Sequence, residues 1–96
     1  MSITINAILK AKPGKEELLR SELLKVIGPS RAEEGCLNYS LHESTENNNT
    51  FVFYETWKDE ESVKRHIETK HYKQYRQNTE TLIEQREVYR LKMIDS

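Results

Sequence analysis

Cysteine is almost absent: Cys36 stands alone in 96 residues, so no disulfide can close within the chain and no cysteine-based zinc pattern can be built. That usage agrees with a reducing compartment, and a lone cysteine reads as a small buried hydrophobe rather than a nucleophile. Long apolar runs are missing too. No stretch approaches the roughly 20 residues that span a bilayer, and the opening MSITINAILKAKPG has neither the basic start nor the continuous apolar core of a signal peptide. A cytoplasmic location away from membranes is expected. Nor does one sign of charge dominate: 15 Lys plus Arg face 16 Asp plus Glu, a net charge of -1. No global field would draw the chain onto nucleic acid or an anionic membrane. Repeats and low-complexity tracts are lacking as well.

What is present is 35% hydrophobic and 32% charged residues, enough to fold a single domain over residues 1–96. The core is thin, because a domain of this size buries only about 60 to 65% of its unfolded surface. Association is a reasonable expectation. Charge is uneven locally: Lys64, Arg65, Lys70, Lys73 and Arg76 face only Glu68. Such a run reads either as a solvated helix face or as a site that prefers an anionic ligand.

Alternation and helical spacing then set the elements. Ser2 to Ala11 puts Ile3, Ile5, Ala7 and Leu9 on one side of a strand and Thr4, Asn6, Ile8 and Lys10 on the other. After Pro13-Gly14, Lys15 to Ile27 carries a helical stripe of Leu19, Leu23, Val26 and Ile27, expected to close at Gly28-Pro29. Cys36 to Glu43 alternates again, with Leu37, Tyr39 and Leu41 on one face. Asn47, Asn48 and Asn49 suit a turn leading into the β-prone run Phe51 to Trp57, a hairpin. Asp59 is placed to cap a short helix through Ile67, and Thr69 to cap a second that turns Tyr72, Tyr75 or Arg76, Thr79 and Leu82 inward. Glu87 to Ile94 is the last strand. The order strand, helix, strand, strand, helix, strand predicts an α+β domain: a ferredoxin-like four-stranded antiparallel sheet with helices on one face.

Both faces of that sheet carry apolar side chains. Phe51, Phe53 and Trp57 point one way, Val52 and Tyr54 the other, and Ile8 lies opposite the main apolar row of the first strand. Helices cover one face only, so a homodimer that presses two open sheets together is expected.

Arg31 ahead of Glu34-Gly35-Cys36-Leu37-Asn38-Tyr39, after an alternating strand with Asn6 and a helix following Lys-Pro-Gly, resembles the antibiotic biosynthesis monooxygenase family. The block Phe51-Val52-Phe53-Tyr54-Glu55-Thr56-Trp57, followed by His66 and by His71-Tyr72, is similar to that family's Y-E-x-W, H and H pattern. The resemblance covers nearly the whole chain. It implies a dimeric α+β barrel with a pocket between sheet and helices in each subunit. It also implies an oxidoreductase that needs no cofactor or metal, a monooxygenase that oxidises a quinol or other electron-rich aromatic with molecular oxygen. The isomerase that processes a phosphorylated hydroxy-diketone from autoinducer-2 is another relative in pattern, and a non-catalytic binding module of stress response is a third possibility of the fold. The haem-degrading branch usually has Trp where this chain has His66 and an axial His where it has Arg76, which disfavours haem chemistry.

The residue types support a pocket chemistry. His66 shares an apolar helix face with Val63, and an imidazole titrates in the range useful for proton transfer; a satisfied core histidine is the plain alternative. Asn6 offers an amide that both donates and accepts, suited to holding a phenolate, or else an ordinary cross-strand hydrogen bond. Tyr39, Tyr54, Trp57, Tyr72 and Tyr75 supply flat walls with polar tips for a small aromatic or oxygenated substrate, although most of them are expected to be core. His71 reads as a loop anchor or a substrate contact, and Arg76 as an anion contact.

Overall fold

The structure, a computed structural model, describes residues 1–94. Its elements run β1 (Ile3–Ala11), α1 (Glu16–Arg31), β2 (Cys36–Glu43), β3 (Thr50–Trp57), α2 (Glu60–Ile67), α3 (Lys70–Thr79) and β4 (Ile83–Leu91). The four strands form one sheet in the order β2-β3-β1-β4, every neighbour antiparallel. This is the expected ferredoxin-like α+β arrangement. Ile5, Ala7 and Leu9 from β1 and Phe51, Phe53 and Trp57 from β3 form the core with Leu19, Leu23 and Val26 of α1, Val63 of α2 and Tyr75 of α3. The helices therefore lie on a single face of the sheet, as period-two alternation requires.

Three features differ from the sequence expectation. Helix α1 does not stop at Gly28-Pro29 but continues to Arg31 with Pro29 inside it. The Ala32 N–H reaches the Gly28 carbonyl at 3.1 Å and the Glu33 N–H reaches the Ser30 carbonyl at 3.1 Å. A proline within a helix costs about 3 kcal/mol or more, and tertiary anchors offset that here: Ser30 is fully buried, and Arg31 Nε donates to the Tyr39 carbonyl at 2.9 Å. The second difference is β4, which begins at Ile83 and ends at Leu91 rather than spanning Glu87 to Ile94. Its extent follows pairing with β1, from Ala11 with Ile83 to Thr4 with Leu91, a register that no local pattern reveals. The third is Leu37, exposed rather than core-facing, because the β2–β3 register shifts between Cys36 and Asn38 and the bulge turns it outward.

The open face of the sheet carries Thr4, Asn6 and Ile8 of β1 beside Val52, Tyr54 and Thr56 of β3 and Glu87, Tyr89 and Leu91 of β4. Tyr54, Tyr89 and Leu91 are exposed there. No helix among the described residues is long and apolar enough to cross a membrane.

Candidate active site

Asp59 starts α2 by accepting the Ser62 N–H at 2.8 Å and the Ser62 hydroxyl at 2.7 Å. Three- and four-residue spacing then buries Ser62, Val63 and His66 together. The His66 ring is packed on three aromatic side chains: Trp57 at 4.3 Å between centroids, Tyr72 at 5.0 Å and Tyr39 at 5.7 Å. Its Nδ1 lies 2.7 Å from Glu33 Oε2, while its Nε2 is buried with no partner among the described residues. Burial holds this imidazole below its usual pKa, and the Glu33 carboxylate works against that shift.

Helix α3 begins at the Thr69 cap, whose hydroxyl accepts the Tyr72 N–H at 3.2 Å. Its first turn brings His71 Nε2 to 2.6 Å from the same Glu33 oxygen. Glu33, His66 and His71 thus gather donor atoms within 4.8 Å of one another, a set chemically able to ligate a divalent cation. The separations as they stand are hydrogen-bond lengths. Two donors each about 2.0–2.2 Å from a tetrahedral cation lie roughly 3 Å or more apart.

Beside His66 a cavity of about 190 Å³ opens between sheet and helices. An apolar cavity of about 150 Å³ accepts benzene, so a single substituted ring is the right scale. Ile5, Ala7, Val63 and Val88 form its apolar wall; His66, Tyr72 and Tyr75 add aromatic edges. The polar side is unusual. Glu55 is 6% exposed, accepts the Trp57 indole N–H at 2.9 Å, and is pushed up to about 7 by burial, with the Trp57 hydrogen bond and the nearby Arg86 charge opposing. Arg76 and Arg86 both donate to the Tyr72 hydroxyl, at 3.1 and 3.3 Å. Arg90 also lines the cavity and is ion-paired to Glu60 at the rim. Burial pushes the Tyr75 phenol up to about 12, so it stays a neutral donor.

Of the residues singled out from sequence, His66, Tyr72, Tyr75 and Arg76 meet around this cavity. Trp57 and Tyr39 do not line it; they are core side chains that pack on His66 from behind. His71 does not line the cavity; it meets Glu33 Oε2 and packs with its ring centroid 6.0 Å from that of His66. Tyr54 lies on the open face, 44% exposed. Asn6 requires correction. It alternates with the cavity-lining Ile5 and Ala7 and pairs with Tyr54 and Tyr89, so strand geometry turns it away from His66 of its own subunit. The groups placed to meet an anion beside His66 are Arg76 and Arg86 instead. Lys64, Arg65, Lys70 and Lys73 are exposed and outside the cavity, so most of the basic run is a solvated helix face.

Three functional candidates were missed. Glu55 was detectable, since it sits in step with Phe51, Phe53 and Trp57 on the buried row of β3. Arg86 lies in the part of β4 that the sequence left unassigned. Glu33 carried no local signal, being one acidic residue in a polar turn.

Residues 2–78 match the model of the antibiotic biosynthesis monooxygenase family. The chain belongs to that family. Among its relatives, the Bacillus subtilis protein YcnE, whose name assigns it provisionally to the monooxygenases, is 46% identical over 70 residues, 73% of this chain and 74% of YcnE. Rv0793 of Mycobacterium tuberculosis, named in the same way, is 31% identical over 74 residues, 77% of this chain and 72% of its own. The crystal structure of PA3566 from Pseudomonas aeruginosa superposes with a TM-score of 0.94 at 33% identity, covering 98% of this chain and 95% of that one. Rv0793 superposes at 0.93 with 28% identity, covering 100% and 98%. Family membership supports a monooxygenase-like function.

Proposed function

We propose that this protein is a cofactor-independent monooxygenase acting on a quinol or similarly electron-rich single-ring aromatic. The observation that carries the reading is the buried, unpartnered Nε2 of His66 at a ring-sized cavity beside two guanidinium groups. A dihydroxy-aromatic seated there loses a phenolic proton to Nε2, and Arg76 and Arg86 stabilise the resulting anion. The electron-rich anion then reduces molecular oxygen. One oxygen atom enters the ring, the other leaves as water, and the quinol is oxidised to a hydroxyquinone; the substrate's own electrons balance the step. Removal of the proton, exclusion of water and orientation are the protein's share.

A homodimer completes the proposal. Tyr54, Tyr89 and Leu91 are exposed on the open face, and Asn6 Oδ1 among them is buried without a partner among the described residues. A second sheet laid on that face would cover the apolar rings and offer that oxygen a donor.

A second reading has its own support. Arg76, Arg86 and Arg90 all line the cavity, a concentration of guanidinium suited to a phosphate. In an isomerase of a phosphorylated hydroxy-diketone they would hold the phosphate while His66 moves a proton next to a carbonyl. An oxygen-electrode assay of metal-free and flavin-free protein against a quinol panel, beside a phosphorylated diketone panel followed by heat protection, separates the two. Oxygen uptake in the quinol lanes supports the monooxygenase. Turnover confined to the diketone lanes, without oxygen uptake, replaces it.

A further inference from the structure

One carboxylate oxygen sits between two imidazoles. Glu33 Oε2 is 2.7 Å from His66 Nδ1 and 2.6 Å from His71 Nε2. Glu33 is 14% exposed and His71 25%, against 2% for His66, so the trio leads outward from the cavity toward the surface. An ionised carboxylate only accepts hydrogen bonds, so both contacts require a proton on the nitrogen that faces it. In neutral His66 that proton can then sit only on Nδ1. Its other nitrogen, buried and without a partner among the described residues, is left as a lone pair, and of the two side chains His66 lines the cavity while Glu33 does not. An isolated imidazole divides its proton between the two nitrogens, and either tautomer is available unless a second group selects one.

We propose that Glu33 is the positioning residue of this site: held in place by His71, its Oε2 fixes the Nδ1–H tautomer of His66 and so presents Nε2 to the substrate as a base. The inference rests on the base role proposed for His66. It adds Glu33 and His71, neither of which touches the cavity, to the machinery. The Tyr39, Trp57 and Tyr72 rings fix the plane of the imidazole, and Glu33 fixes its proton. When Nε2 takes a proton, the adjacent carboxylate stabilises the imidazolium without itself becoming protonated. Two donors on one oxygen also hold Glu33 against rotation, which a single hydrogen bond would not do.

The test reads the tautomer directly. In ¹⁵N-labelled wild-type protein at pH 8, the ring nitrogens of His66 should report a proton on Nδ1 and a bare Nε2. Glu33→Gln, whose amide can donate to Nδ1, should move proton population onto Nε2 and lower the His66 titration midpoint by about one unit or more, as loss of an adjacent opposite charge does. Glu33→Asp should restore part of the midpoint. His71→Gln keeps a donor for Oε2 and should keep the tautomer. With a quinol that the wild type turns over, Glu33→Gln should reduce kcat at least tenfold and leave KM unchanged. A proton on Nε2 in the wild type, or a tautomer and midpoint unmoved in Glu33→Gln, overturns the proposal. So does Zn²⁺ that raises Tm in the wild type and not in Glu33→Gln, which would make the trio a cation site. If no quinol is consumed by the wild type, the base role fails while the tautomer measurement still decides the role of Glu33.

Discussion

The indole N–H of Trp57 donates to Glu55 Oε1 at 2.9 Å, and both side chains are buried on the row of β3 that faces the helices. A carboxyl group in that setting favours its neutral form: burial raises Glu55 to about 7 from the usual 4.5. The folded state therefore binds a proton that the unfolded chain has already released between those two values. The stability this group contributes is complete below about 4.5 and is lost as pH rises through 7. His66 acts in the opposite direction, since its lowered pKa penalises folding as pH falls below the ordinary imidazole range. The two effects separate in a difference measurement. Glu55→Gln should gain stability over the wild type as pH rises from 5 to 8, by up to about 3 kcal/mol. Parallel melting curves of the two proteins across that range would contradict the assignment.

Replacing His66 with Ala removes the proposed base. Quinol-dependent oxygen uptake should fall on the order of 10² or more, with circular dichroism showing that the fold is kept. Unchanged uptake in that variant would remove His66 from the mechanism.

Gly35 lies against α2 in a way that admits no side chain. A Cβ there would sit 2.0 Å from Ser62 Oγ and 2.3 Å from Ser62 Cβ. Ser62 cannot swing aside freely, because its hydroxyl and its N–H are both engaged by Asp59 at the cap of α2. Gly35→Ala should cost about 1–3 kcal/mol as an overpacking substitution. In a domain of this size that is a Tm lower by roughly 5 to 20 °C. Gly35→Ala combined with Ser62→Gly removes the colliding atoms and should recover part of the loss; a double variant no more stable than Gly35→Ala would show that the collision is not the cause.

The proposed dimer gives a prediction on the opposite face. Tyr54 is 44% exposed and outside the cavity, so Tyr54→Asp should leave the monomer folded while placing a charge in the middle of a sheet-to-sheet contact. Light scattering should then report a dimer for the wild type and a monomer for the variant. A monomeric wild type at all concentrations would dispose of the dimer.

A pocket holding His66, Tyr72, Tyr75 and Arg76 was implied by the family resemblance; the order of elements and the single helix-covered sheet face were legible in the chain. They rest on period-two and 3.6-residue spacing, which are local properties of consecutive residues. Where reading failed, the deciding contact was remote. Helix α1 passes Gly28-Pro29 because Ser30 is buried and Arg31 is tied to Tyr39, and the register with β1 rather than β4's own alternation sets the limits of the last strand. Asn6 is the exception: the alternation that puts it on the face away from His66 is local and was legible in the chain.

The sequence by itself thus determined the fold class and supplied an imidazole, a carboxylate-bearing strand and aromatic walls, since patterning of apolar residues dictates which faces must be buried. Only the tertiary structure decided which polar groups meet. Glu33 stands 33 residues from His66 and 38 from His71. The Glu33 carboxylate reaches both rings because α1 runs a further turn, α2 is pinned at Asp59 and α3 restarts at Thr69. Those are separate packing events, and no local spacing in the chain encodes their sum.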